Sequence, residues 1–262
     1  MEDNLITPCP GFPILEYDED HSMIMPNTQN ELLRDLGGVD TCVMTFFPGL
    51  RAHETSERFD ELYRFFSGGA QLMQYVYNDS LVVANLPGGA APAAALMEEL
   101  ISIGISRFVC IGSAGLISKE FDQNKMLVVT EAIRDEGTSY HYLPAGEAAY
   151  TSPLLREQLK DSLARQGVDF AEGKVWTTDA FYRETPSRVA RRLAEGAIAV
   201  EMECAALCAV AQRRGVEFAQ ALFFSDSLLS EVWSGFSRDY PEKRLKALDL
   251  LLETGLELAG LL

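Results

Sequence analysis

The chain has 262 residues, 47% of them apolar and 23% charged, with 39 acidic against 22 basic side chains for a formal charge of −17. Neutralising a run of phosphates needs a basic face, so this balance argues against nucleic acid and anionic membranes and confines any phosphate site to a local pocket of donors. The apolar share is that of a folded protein, not a disordered one.

Met1-Glu2-Asp3-Asn4 carries no basic stretch followed by an apolar core, and no apolar run reaches the roughly 20 residues that span a bilayer, so a cytoplasmic protein is expected. Five cysteines (Cys9, Cys42, Cys110, Cys204, Cys208) form no C-x-x-C pair, which fits reduced thiols. The three histidines, His21, His53 and His141, lie far apart, so no metal site is expected. Cys204 and Cys208 share a helix face and read as core thiols.

After a proline-rich opening (Pro8, Pro10, Pro13), Thr41 to Phe47 reads as a buried strand ending at Pro48-Gly49, and residues 54–66 show helical spacing. Gln71 to Tyr77 and Leu81 to Leu86 are β-rich runs flanking Asn78-Asp79-Ser80, a hairpin signal. Pro87-Gly88-Gly89 precedes an Ala/Leu-rich helix from Ala90 to Ile103, closed by Gly104. Arg107 to Ile111 is a short strand running into Gly112-Ser113-Ala114-Gly115, and Met126 to Ile133 is a strand running into a polar loop. A helix over Pro153 to Arg165, a strand over Gly173 to Thr177 and a helix over Pro186 to Ala194, N-capped by Thr185, follow. Ala197 to Val200 is a strand entering the helix Glu203 to Arg214, which Gly215 stops; Phe218 to Phe224 is the next strand, and Tyr240 to Leu262 a terminal amphipathic helix. Strands alternating with helices predict an α/β layered fold on a largely parallel sheet, which the hairpin makes mixed. Ligands in such folds gather beyond the C-terminal ends of the strands. Gly88-Gly89, Gly112 to Gly115, Thr177 to Thr185, Val200 to Glu203 and Ser225-Asp226 all stand at such ends.

Five segments in order, Ile111-Gly112-Ser113-Ala114-Gly115-Leu116, Arg134 to Tyr142, Thr177-Thr178-Asp179-Ala180-Phe181-Tyr182, Val200-Glu201-Met202-Glu203-Cys204-Ala205-Ala206-Leu207 and Ser225-Asp226, resemble the nucleoside phosphorylase superfamily, most of all its uridine phosphorylase-like branch. The likeness covers about residues 80–262 and is weak over the first 75, within a single expected domain of residues 1–262. It implies a three-layer α/β/α fold around a mixed, largely parallel sheet. It also implies cleavage of the N-glycosidic bond of a nucleoside, with inorganic phosphate as co-substrate and no other cofactor, in a homo-oligomer, either dimer or hexamer.

Breaking a ribosyl-base bond builds positive charge on the sugar and negative charge on the base, so the site must hold the sugar, tolerate a cation and protonate the leaving group. A carboxylate meets the first two needs. The resemblance implies that Glu203 grips the ribose hydroxyls, with Met202 packed on the sugar and Glu201 beside it, although two carboxylates would also suit a helix's first turn. It implies that Asp226 is the acid at the base and that Phe181 stacks on the base; Arg238, 12 residues past Asp226, is either its helper or a surface charge, and Arg183 and Glu184 either read the base edge or are solvated charges before a helix cap. The loop from Arg134 to Tyr142 either lines the pocket or forms an intersubunit lid.

The phosphate site departs from the family. Gly88, Gly89 and Ser113 offer N–H and hydroxyl donors, but Cys110 stands where the family has an arginine, and the Gly-Asp-Pro-x-Arg loop is missing after the first strand. Arg51 is the expected substitute, with Arg58 and Arg64 as donors to a neighbouring subunit, and Asn124-Lys125 replaces a family Gly-Asp pair. A nucleosidase that uses water, or a nucleoside-binding sensor without turnover, are the alternatives to phosphorolysis.

Overall fold

The structure, a computed structural model, describes residues 12–26, 36–46, 59–67, 70–77, 79–230, 233 and 235–262. Strands β1 (Thr41–Thr45), β2 (Phe59–Ser67), β3 (Ala70–Tyr77) and β4 (Leu81–Asn85) precede helix α1 (Ala90–Ser102). Then come β5 (Arg107–Leu116), β6 (Met126–Asp135), the short β7 (Ala149–Tyr150), α2 (Pro153–Arg165) and β8 (Phe170–Thr178). The order closes with α3 (Pro186–Ala194), β9 (Ala197–Glu201), α4 (Cys204–Arg214), β10 (Glu217–Ser227) and α5 (Tyr240–Leu258).

The two-residue period of the strands splits the core into the layers expected of an α/β/α fold. Cys42 and Met44 of β1, with Phe108 and Cys110 of β5, pack toward α1 and α4 through Leu96, Met97, Leu100, Cys204, Leu207 and Cys208. The alternate residues Val43, Val109 and Ile111 pack toward α2 and α5 through Leu155, Leu159, Leu163, Leu248 and Leu251. Each fully buried Leu adds about 1.5–3 kcal/mol of apolar burial, before entropy is counted.

The sheet is mixed, and part of it closes on itself. β5 runs parallel to β1 and β10, β10 antiparallel to β6, β6 parallel to β8, and β8 parallel to β9, which returns antiparallel to β5 at Gly115↔Val200 and Leu116↔Ala199. A ring of β5, β10, β6, β8 and β9 results, extended outward from β5 through β1, β4, β3 and β2. The C-terminal ends of β5 and β10 thereby lie side by side, with β9 beside them.

Two segments depart furthest from the expectations of sequence. The described part of the segment with helical spacing, residues 54–66, is strand β2, antiparallel to β3 with a register break between Glu61 and Tyr63. That bulge puts Leu62 and Phe65 into the same core three residues apart, a spacing that mimics a helix. Strand β5 also continues through the glycine-containing segment to Leu116, beyond the expected end at Ile111. Gly115 allows this, because a Cβ there would lie 2.9 Å from Leu228 Cδ1 and 3.3 Å from Val200 Cγ1. The hairpin of β3 and β4, and Thr185 at the start of α3, stand where sequence put them. The Thr185 hydroxyl meets Ser187 Oγ at 3.3 Å and makes no capping bond.

Gly255 of α5 sits against β1 and β4, where a Cβ would come within 2.5 Å of Val43 Cγ1 and 2.7 Å of Leu81 Cδ2. Gly255→Ala is therefore expected to lower stability by about 1–3 kcal/mol through overpacking, read as a lower denaturation midpoint at unchanged slope.

Candidate active site

The site forms where β9 gives way to α4. Glu201, the last residue of β9, is buried, and its Oε2 accepts the amides of Glu203 at 2.9 Å and Cys204 at 2.7 Å, the first free donors of α4. Its Oε1 accepts from Thr177 Oγ1 on β8, and Thr177 Oγ1 in turn accepts the Ala205 amide at 3.0 Å. One carboxylate thus joins β8, β9 and α4. Thr177 and Glu201 were both singled out by sequence; that they form a single clasp was not legible there.

The clasp fixes the backbone of Glu203, the residue at the α4 N-cap, with φ −134° and ψ −30°. Its side chain crosses to the head of α1, where Oε1 accepts the Gly89 amide at 2.5 Å. Gly89 can present that amide because it adopts φ +97°, a region that favours glycine. Gly88 beside it is exposed, Met202 is half-buried, and Ser113 is half-buried on β5 opposite Phe223. Burial, followed by the charge of Glu201, pushes Glu203 above the ordinary carboxylate range, and burial does the same to Glu201. The neighbouring charges that weigh most on Glu203 are acidic, Glu201 and then Asp179. Cys110 is fully buried close enough to feel both glutamates, and burial pushes its thiol far up, so a neutral group stands beside them.

The amide of Gly89, expected to serve phosphate, is therefore engaged by Glu203 in this structure. Arg51 and Arg58 lie outside the described residues, and Arg64 is exposed and paired with Glu61 at 2.9 Å.

At the end of β10, Asp226 Oδ1 accepts from Ser225 Oγ at 2.7 Å and Oδ2 from Trp233 Nε1 at 2.7 Å. Sequence offered Arg238 as the helper here; Arg238 is exposed, and the donor is an indole seven residues along, which no motif marks. Glu184 is close enough to feel Asp226: burial, then that charge, push it up to about 7. Glu184 and Trp233 share a cleft of about 740 Å³ with Ile117, Leu228 and Leu229. Phe181 is half-exposed and tilted against the exposed Tyr182, with ring centroids 3.9 Å apart, and Arg183 is exposed at the end of the same turn.

The polar loop after β6 is braced from within. Arg134 donates to Ser139 Oγ and to the carbonyls of Leu143, Pro144 and Glu147, at 2.7–2.9 Å. The Gly137 amide donates to Asp179 Oδ2 at 2.8 Å, which joins the loop to the segment that carries Phe181. Cys204 and Cys208 are free, buried thiols with sulfurs 3.9 Å apart. Among the described residues no cluster of side chains has the make-up of a metal site, and no helix is long and apolar enough to cross a membrane.

The sequence model of the phosphorylase superfamily matches residues 40–252. The chain belongs to that superfamily. It is 27% identical to the guanosine phosphorylase of Halorubrum lacusprofundi over 165 residues, 62% of this chain and 68% of that one. It is 26% identical to the DeoD-type purine nucleoside phosphorylase of Bacillus cytotoxicus over 215 residues, 80% of this chain and 89% of that one. In fold it is similar to the purine nucleoside phosphorylase of Toxoplasma gondii, solved in complex with immucillin-H, with a TM-score of 0.73 at 18% identity over 92% of this chain and 98% of that one. The α/β fold is thus that of the phosphorylase superfamily.

Carboxyls raised in the folded state bind protons that the unfolded chain releases from about pH 4.5 upward, so their contribution to stability falls as pH rises from there into the neutral range. Calorimetry across that range should show the unfolding temperature declining toward alkaline pH. Glu203→Gln, which keeps an acceptor for Gly89 but carries no charge, is expected to flatten the decline.

Proposed function

We propose that this chain cleaves the N-glycosidic bond of a nucleoside by phosphorolysis, releasing the free base and ribose 1-phosphate. The observation that carries the reading is Glu203: a buried carboxylate held at the head of α1, within a superfamily fold, with Ser113 and Asp226 on adjoining strand ends. The named activities of the guanosine and purine nucleoside relatives support it.

In this reading Glu203 grips the ribose hydroxyls, and Met202 packs on the sugar. Positive charge developing on the ring draws Glu203 into its ionised form, which in turn stabilises that charge, so the attraction is stronger in the transition state than in the ground state. Glu201 contributes by holding Glu203 in place. Phe181 covers the base, Arg183 and Glu184 read its edge, and Glu184 and Asp226 place two carboxyls where the leaving nitrogen departs. Gly88, Gly89 and Ser113 supply donors to phosphate, with Arg51 as the cation. For Gly89 to take part, its amide must be released by Glu203 when substrate binds.

Cys110 and the Gly89–Glu203 bond favour a second reading, hydrolysis on the same sugar face, since each charge-assisted contact missing from the anion site removes on the order of 1.5–3 kcal/mol. Base release from a panel of purine and pyrimidine nucleosides, measured with and without phosphate, separates the two. Phosphate-dependent release with ribose 1-phosphate as product is expected; equal release without phosphate would establish hydrolysis instead. Glu203→Ala is expected to reduce turnover by at least about 100-fold while the circular dichroism spectrum is retained.

The reading includes a homo-oligomer, dimer or hexamer, which would cover side chains that a single chain leaves open, Met23, Ile24 and Tyr182 among them. Sedimentation of the active protein is expected to give a mass above one chain; an active monomer would contradict it.

A further inference from the structure

The two carboxyls at the base end of the site are built differently. Both oxygens of Asp226 accept a hydrogen bond, from Ser225 Oγ and from Trp233 Nε1, and the indole, a donor only, holds its oxygen as an acceptor. The indole is itself anchored. Trp233 packs edge-on against Phe236 with centroids 5.8 Å apart, Phe236 stacks on Tyr240 at 5.1 Å, and the Ser237 amide donates to the Ser225 carbonyl at 2.7 Å, which ties the loop back to β10.

Glu184 has another environment. It follows the turn Phe181–Arg183, is half-buried, and lines the 740 Å³ cleft together with Trp233. Lys119 and Glu120, from the loop after β5, face the same cleft; on Glu184's own segment Arg183 is exposed and Arg188 is taken up by Asp135 at 2.8 Å. Burial comes first and the charge of Asp226 second in raising Glu184. Two neighbouring carboxyls, one held as an acceptor by two donors and the other buried beside it, can divide the labour of acceptor and acid.

Building on the nucleoside-cleaving reading, we propose that Glu184 delivers the proton to the leaving base, and that Trp233 and Asp226 are positioning residues, the indole latching Asp226 as an acceptor whose charge keeps the proton on Glu184. As the C–N glycosidic bond breaks, its electron pair passes to the base nitrogen and the Glu184 Oε–H proton follows it. The oxygen nucleophile bonds to the anomeric carbon, the base leaves neutral, and the Glu184 carboxylate regains a proton from solvent.

The test is the pH profile of kcat on a purine nucleoside and on 4-nitrophenyl riboside, whose leaving group needs no proton. Wild-type kcat on the nucleoside should fall as pH rises past about 7. Glu184→Gln should lose about 100- to 10,000-fold on the nucleoside, the range of general acid catalysis, together with the alkaline fall, yet retain most activity on the nitrophenyl riboside. Asp226→Asn and Trp233→Phe should keep the fall and move it to lower pH, which a purely structural role would not do. A fall that persists in Glu184→Gln and vanishes in Asp226→Asn overturns the assignment, as does equal damage by Glu184→Gln on both substrates. Carboxyl carbon-13 NMR of the unliganded protein adds a readout independent of turnover: the resonance removed by Glu184→Gln should titrate near neutral pH. If the resonance removed by Asp226→Asn titrates there instead, the assignment fails. With the expected titration but no turnover of either substrate by wild type, the proton placement stands and the nucleoside reading fails.

Discussion

One buried carboxylate organises this site. Glu201 closes the start of α4 by taking two of its amides, and through Thr177 it fastens that helix to β8. Without it, amides at a buried helix start would be left unpaired, at about 1–3 kcal/mol each, and nothing would fix the backbone from which Glu203 departs. Glu203 then repeats the device on a second helix, its carboxylate taking the Gly89 amide at the head of α1. Two helix heads thus face two acids. An incoming anion meets a place where the usual attraction of helix N-termini has already been answered by the protein's own side chains.

That arrangement carries an electrostatic cost. Burial raises Glu201, Glu203 and Glu184 together, and the charges that weigh most on Glu203 are acidic. Under the proposed function that cost is relieved by a sugar that acquires positive charge only while its bond to the base is breaking. In the proposed reading the ground state is penalised and the transition state is not, which is the direction catalysis requires.

The layered fold was legible because strand and helix periods are written plainly into residues such as those of β1, β5 and α5, whose alternate side chains sort to the two faces. Where one extra residue breaks the period, as at Leu62 in β2, the same reasoning produced a helix. At the site, Glu201, Glu203, Ser113 and Asp226 could be singled out because motifs and strand ends mark them. Trp233 could not, since its part depends on a single indole N–H reaching back across a loop, and neither composition nor spacing encodes that reach. The engagement of Gly89 was hidden for the same reason: its partner lies 114 residues away.

The ring of strands has a consequence for how the protein is made. β5 pairs with β10 along almost its full length, Arg107↔Glu217 through Leu116↔Ser227, so one side of a central strand waits for a segment synthesised about a hundred residues later. Until residues 217–227 leave the ribosome, β5 presents an unpaired edge to its surroundings. The strand that fills that edge also brings Asp226 to the site. Completion of the sheet and arrival of Asp226 are therefore the same late event, and a nascent chain carries no finished candidate site before its fold is nearly whole.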